Sequence, residues 1–186
     1  MINFDMRFHW EWKDERGKLR KTREKRCHSY VLALIDTLEA SFKQAAEAGT
    51  TLDTGNTARA ISNGSPVLGL DSAAGATLKG IVVGTGTDAV TIADYKLKTL
   101  IAHGGGANTL SYGAMAVGAA GTSGSSRRVT LSRTLTNNSG ADITIHEVGI
   151  YAMCGAWYFC IEHQLNDKTI ANGANATAVY TIGVTV

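Results

Sequence analysis

The sequence predicts a mainly β protein: an antiparallel β-sandwich, jelly-roll-like, with an N-terminal strand or hairpin and one amphipathic α-helix. Three observations lead there. Apolar residues recur with a period of two in several separate runs, which is the strand signature. The 186 residues include 21 Gly and one Pro, and 44% are hydrophobic, a balance that suits short strands joined by many turns around a real core. A single stretch changes to the helical period.

The organising element is the hairpin that starts at Asp142. Ile143, Ile145, Glu147, Gly149 and Tyr151 alternate with Thr144, His146, Val148, Ile150 and Ala152. A second run alternates Trp157, Phe159, Ile161 and His163 with Tyr158, Cys160, Glu162 and Gln164. Large apolar side chains stand on both faces, so the hairpin belongs in the middle of a layered structure rather than on its surface. A turn at Cys154-Gly155 places Cys160 opposite Gly149, too far along the ladder for a disulfide to Cys154, and Cys27 has no partner at metal spacing. All three are read as reduced thiols.

In chain order, Phe4, Met6, Phe8, Trp10 and Trp12 share one face of an N-terminal strand, opposite Asp5, Arg7, His9 and Glu11. Asp14 to Gly17 turn the chain, and Lys18 to Arg26 return as a charged edge strand that discourages edge-to-edge aggregation. Between Ser29 and Ala48, Tyr30, Leu34, Leu38 and Phe42 recur every four residues, with Ser29 as N-cap and Gly49 as stop, which predicts the helix. Thr54-Gly55-Asn56 and Asn63-Gly64-Ser65-Pro66 read as turns. Strands follow at Thr77 to Val83, Thr109 to Val117, Arg127 to Asn137, and from Thr177 to the end of the sequence. Residues 90–101 carry no clear period. The division predicted is residues 1–49 as an oligomerisation arm and residues 50–186 as the sandwich body.

The net charge of +2 conceals a local cluster, Lys13, Arg16, Lys18, Arg20, Lys21, Arg23, Lys25 and Arg26, broken by Asp14, Glu15 and Glu24. Acidic interruptions and the lack of interleaved aromatics argue for a solvated or subunit-facing edge over nucleic acid. No apolar run reaches the length of a membrane helix, and no apolar leader follows the first residues, so the expectation is a soluble product of cytoplasmic synthesis.

Gly84-Thr85-Gly86-Thr87-Asp88-Ala89 has the GxGxxA spacing of a dinucleotide-binding turn. No helical pattern opens after it and no βαβ rhythm surrounds it, so a tight β-turn is expected and no cofactor. His146, His163 and Glu162 form an acid-base or metal site only if they converge on one pocket, and their spacing does not require that, so neither a metal site nor a catalytic residue is assigned. Glu147 shares its face with Ile143, Ile145 and Tyr151. A carboxylate among apolar neighbours needs a partner, and the expectation is a structural ion pair with Arg133 on an adjacent strand.

Thr144-Ile145-His146-Glu147-Val148-Gly149-Ile150-Tyr151 resembles the T-I-x-E-x-G-(L/I)-(Y/F) signature of tailed-bacteriophage structural proteins. Ile81 to Gly86, Asp94-Tyr95-Lys96-Leu97, Asn137 to Gly140, Phe159-Cys160-Ile161, Ile170 to Gly173 and Tyr180 to Val184 are similar to segments of the same family. The likeness covers roughly residues 80–186, with His163 and Gln164 standing where the family often has a basic-acidic pair. It implies a virion component of the tail, neck or capsid surface, made in the host bacterial cytoplasm, not an enzyme, whose partners are further copies of itself and other virion proteins. Phe4, Phe8, Trp10, Trp12, Leu34, Leu38 and Phe42 are the interface anchors predicted for such an assembly. The alternative is a carbohydrate- or receptor-binding module of a virion fibre, with Tyr158, Tyr112 and the Gly/Ser loops lining a site for a host glycan or receptor.

Overall fold

The computed structural model describes residues 3–27, 30–43, 51–61 and 68–185. Its elements are β1 (Asn3–Lys13), β2 (Leu19–Lys21), β3 (Lys25–Arg26), α1 (Leu32–Lys43), β4 (Thr51–Leu52), β5 (Ala58–Arg59), β6 (Gly80–Gly84), β7 (Ser111–Val117), β8 (Gly121–Ser123), β9 (Ser126–Thr136), β10 (Ile143–Cys154), β11 (Trp157–Ile170) and β12 (Asn175–Thr185). Strands dominate the described residues. One antiparallel sheet runs β2-β1-β12-β9-β7, with β3 also on β1 and β8 on β9, and the second runs β11-β10-β6. No helix among the described residues is long and apolar enough to cross a membrane.

The two sheets face each other across the main core. Met6, Phe8, Trp10, Tyr112, Leu131, Leu135 and Tyr180 of the first meet Ile81, Val83, Val148, Ile150 and Ile161 of the second. On the opposite face of the second sheet, Val82, Tyr151 and Phe159 are covered by Val31 and Ala33 at the start of α1 and by Leu97 of the following loop. The β10–β11 hairpin is therefore the middle layer, which accounts for apolar side chains on both of its faces. Its register departs from the expectation. Cys154 pairs with Trp157 across a Gly155-Ala156 turn and Tyr151 with Cys160, and a further shift between Ile150 and Tyr151 brings His163 opposite Gly149. Another shift between Ile145 and Glu147 leaves Ile143 and Ile145 in the main core and parts them from the face of Tyr151. The bulge at Ile150/Tyr151 inserts one residue, and the three cysteines remain free and buried.

β1 is an internal strand, hydrogen-bonded to β12 from Asn3↔Thr185 to Glu11↔Thr177 on one side and to β3 and β2 on the other. A boundary after residue 49 thus follows no division of the fold, since β1 supplies Met6, Phe8 and Trp10 to the sandwich core. The charged return strand is split into β2 and β3, and between them Thr22 accepts from the Trp10 amide and donates its own amide to the Trp10 carbonyl, both at 3.0 Å. α1 begins at Leu32, and the expected cap Ser29 and the loop at Asn63 to Pro66 lie outside the described residues.

The chain crosses from the first sheet to the second after β9 and returns before β12. Both crossings are tied at Asn137, which is fully buried. Its Nδ2 donates to the carbonyls of Ala141 (2.8 Å) and Ile170 (2.7 Å), and its Oδ1 accepts from the amide (3.0 Å) and hydroxyl (2.7 Å) of Ser139. Its backbone amide reaches Ala174 O at 2.9 Å, and its carbonyl accepts from the Gly173 amide at 2.7 Å. Gly173 adopts a φ of 78°, which a side chain would strain. Replacing Asn137 with Ala removes the donor to the buried Ile170 carbonyl and the acceptor of Ser139, and the expected loss is about 1–3 kcal/mol of unfolding free energy by chemical denaturation. A loss below about 0.5 kcal/mol, the scatter of neutral surface changes, would show that the crossings are held by their backbone bonds alone.

Candidate functional site

The strongest concentration of polar chemistry lies around Glu147 on β10. Its Oε1 accepts from the amides of Gly86 (2.9 Å) and Thr99 (2.7 Å), and its Oε2 from the amide of Lys98 (2.9 Å) and from His163 Nε2 (2.9 Å). His163 Nδ1 lies 2.9 Å from Asp94 Oδ2, and Asp94 in turn accepts from Lys98 Nζ at 2.7 Å and from the Thr91 hydroxyl at 2.9 Å. The two ring nitrogens each face a carboxylate. Burial pushes both carboxyls up. For Glu147 that effect is outweighed by His163 and the three amides, and for Asp94 by Lys98, Thr91 and His163, so both are held below the usual carboxylate range.

The glycine run gains its meaning here. A Cβ on Gly84 or Gly86 would collide with the Glu147 carboxylate. Glycines that let backbone amides approach an anion are what a phosphate-binding loop uses, but in this chain the anion is its own side chain. The expected tight turn is instead a loop wrapped around Glu147 and fastened to the next segment by Thr85 N to Thr99 O at 2.9 Å and Ile101 N to Val83 O at 2.9 Å. Asp94, His163 and Glu147 are all buried, so the trio acts as a lock on residues 84–99.

A second buried acid, Glu162, faces the opposite way, between the sheets. Tyr180 donates to its Oε2 at 2.5 Å, Gln164 Nε2 donates to the Tyr180 hydroxyl at 3.1 Å, and Oε1 has no partner among the described residues. Burial raises the Glu162 carboxyl to about 8, against which the Tyr180 hydrogen bond acts only in part. His146 is on the rim, 2.8 Å from Asp167. His146, His163 and Glu162 thus point to three different places and do not converge, and among the described residues no group of His, Cys, Asp or Glu is arranged to hold a metal ion.

Arg133 does not pair with Glu147. β9 lies in the other sheet, between β12 and β7, and the buried Arg133 guanidinium instead donates to the carbonyls of Gly113 (2.9 Å), Ile81 (3.0 Å), Lys79 (3.2 Å) and Ala76 (2.5 Å), above the Tyr112 ring. Each charge is met largely by backbone groups, amides for Glu147 and carbonyls for Arg133, which no residue type in the sequence marks. Of the predicted interface anchors, Phe8 and Trp10 are wholly buried against Tyr180 and the core, and Leu34 is buried under the helix. Phe4 is 50% exposed, Trp12 and Leu38 are half-buried, and the side chain of Phe42 falls outside the described residues. Tyr112, expected at a glycan site, is buried with its hydroxyl on the Ile101 carbonyl at 2.8 Å, whereas Tyr158 is half-buried beside the segment from Asp71 to Lys79.

Large aliphatic groups gather instead at the start of α1. Leu32, Ile35 and Ile92 are 49%, 60% and 65% exposed, and the Leu32 amide is bonded to the Ile92 carbonyl at 3.0 Å. Comparison with known proteins finds no match among family models, curated proteins or solved structures.

The two acid sites predict a pH profile with opposite arms. Glu147 and Asp94 titrate lower in the folded chain than their ordinary 4.5 and 3.8, so their contribution is complete above those values and fades as pH falls through the folded ones. Glu162 keeps its proton to about 8 when folded but releases it near 4.5 when unfolded, so stability declines as pH rises between those values and then levels. Denaturation across this window should show a decline of up to about 1.4 kcal/mol per pH unit, and Glu162→Gln should flatten it while keeping the Tyr180 hydrogen bond. Parallel profiles for the two proteins would show that Glu162 is ionised in the fold. His163→Ala leaves two buried carboxylates facing an empty site and should cost about 3–5 kcal/mol at neutral pH in the same measurement.

Proposed function

We propose that this chain is a structural subunit of a tailed-bacteriophage virion, in the tail, neck or on the capsid surface, and that it works as a symmetric homo-oligomer. The observation that carries the reading is the apolar face at the start of α1. Leu32 and Ile35 stand three residues apart on one side of the helix, and the backbone bond from Leu32 to Ile92 sets a third exposed aliphatic group beside Leu32. Exposed aliphatic groups gathered in this way mark surfaces that meet another molecule, and covering each side chain contributes about 1.5–3 kcal/mol.

The resemblance around Thr144 to Tyr151 supports the same reading, and so does the use of the buried polar groups. Glu147, His163, Asp94 and Arg133 are engaged with the chain's own loops, giving a rigid body suited to repetition. The anchors of assembly in this reading are Leu32, Ile35 and Ile92 with Phe4, rather than Phe8 and Trp10. Further copies of the chain and other virion proteins are the partners, the subunit is made in the host bacterial cytoplasm, and its work requires no cofactor.

Light scattering of the full chain across a concentration series should give a discrete oligomer. Ile35→Asp, at an exposed position, should shift the mass towards the monomer while changing unfolding free energy by no more than about 0.5 kcal/mol. A wild-type monomer at every concentration, or an Ile35→Asp protein of unchanged mass, would overturn the reading.

A further inference from the structure

The basic run that looked like a solvated edge has a more definite local arrangement at its start. The β1–β2 hairpin and the β11–β12 corner enclose a groove of about 490 Å³, a volume suited to a small ligand. On one wall Lys168 holds its ammonium 3.4 Å from the centre of the Trp12 ring. That contact fixes the cation and removes part of its water, and burial lowers the lysine from its ordinary value. Among the described residues no carboxylate pairs with Lys168, Lys13 or Arg16, all of which line the groove.

The acidic members of the groove refine the ligand class. Asp14 is already used: it accepts from Arg20 Nε at 2.8 Å and from the amides of Arg16 (3.0 Å) and Lys18 (2.9 Å), which shapes the turn. Glu15 lines the groove with no partner among the described residues. A free carboxylate beside free cations repels a polyanion and accepts hydrogen bonds from hydroxyl groups. The accessible part of the floor, Ala171 and Ala174 above the buried Ile170, is apolar and suits the C–H face of a ring. A ligand that matches all three features carries one carboxylate, several hydroxyls and a compact apolar face.

We propose that the groove between the β1–β2 hairpin and the β11–β12 corner binds an acidic saccharide unit, with its carboxylate on Lys168 and Arg16, its hydroxyls on Glu15 and its ring over Ala171 and Ala174. The site lies within one chain and is independent of the assembly reading. It differs from the glycan site the sequence suggested at Tyr158 and Tyr112.

The test is titration of the full-length protein, in whatever oligomeric state it holds, with glucuronic acid, N-acetylneuraminic acid and glucose, followed by calorimetry and tryptophan fluorescence. At least one acidic sugar should saturate and change the fluorescence, with glucose at least about tenfold weaker, the loss expected for one charge-assisted hydrogen bond. Which acid binds more tightly distinguishes a uronate from a sialate source. Lys168→Met keeps an aliphatic stem on Trp12, and Arg16→Ala changes an exposed turn; each should weaken the acidic sugar by about tenfold or more. Failure of both acids to saturate, equal binding of glucose, or unchanged affinity in both variants would overturn the proposal. Tighter binding of a single-stranded oligonucleotide than of either acid would overturn it in favour of nucleic acid.

Discussion

The molecule depends on satisfying a carboxylate in a place where water does not reach. Glu147 sits at the centre of β10, the strand that β6 and β11 flank, and an ion there is tolerated only if all its lone pairs are engaged. The chain meets this by folding residues 84–99 around it so that amides of Gly86, Lys98 and Thr99 converge. The same requirement positions His163, and through His163 it positions Asp94 and Thr91. A segment without periodicity acquires a fixed path because a charge in the neighbouring sheet demands it.

Arg133 repeats the principle with the opposite sign. Its guanidinium gathers carbonyls from Lys79, Ile81 and Gly113, and so secures the approach to β6 and the middle of β7. The two buried charges do not attract each other across a short gap. Each acts as a mould for irregular backbone on its own side of the core, while the aliphatic groups between the sheets supply the bulk of the stabilisation. Loops held in this way stay rigid without disulfides, and the three cysteines are free.

What was legible in the sequence was whatever depends on side-chain period. The outward threonines of β9 and the alternation of Phe8 and Trp10 with Arg7 and His9 fix strands and their faces, whereas the β10 and β11 runs fix the strands but not one face each. Ile143 and Ile145 enter the main core while Tyr151 lies on the other side, and Phe159 and Ile161 are parted in the same way. The bulge at Ile150/Tyr151 was not legible, because one inserted residue leaves the alternation on each side intact. The partners of Glu147 and Arg133 were hidden for a different reason: an amide or a carbonyl has no letter of its own. The glycines at 84 and 86 were the available signal, since they mark where backbone must approach something closely, but the sequence does not say that the something is Glu147. Burial of Phe8 and Trp10 followed from pairing β1 with β12, a relation between distant strands that neither strand's pattern contains.

That pairing has a consequence for how the chain is made. Phe8 lies opposite Tyr180, so β1 leaves the ribosome long before the strand that completes its sheet. At ordinary rates of synthesis the delay is on the order of ten seconds, during which a row of aromatic side chains stays without its main neighbour. The charged segment from Lys18 to Arg26, which folds back onto β1 locally, is available at once and can cover the strand's other edge. Order of synthesis thus favours the local pairing of β1 with β2 and β3 ahead of the distant pairing with β12, because the shorter loop closes first.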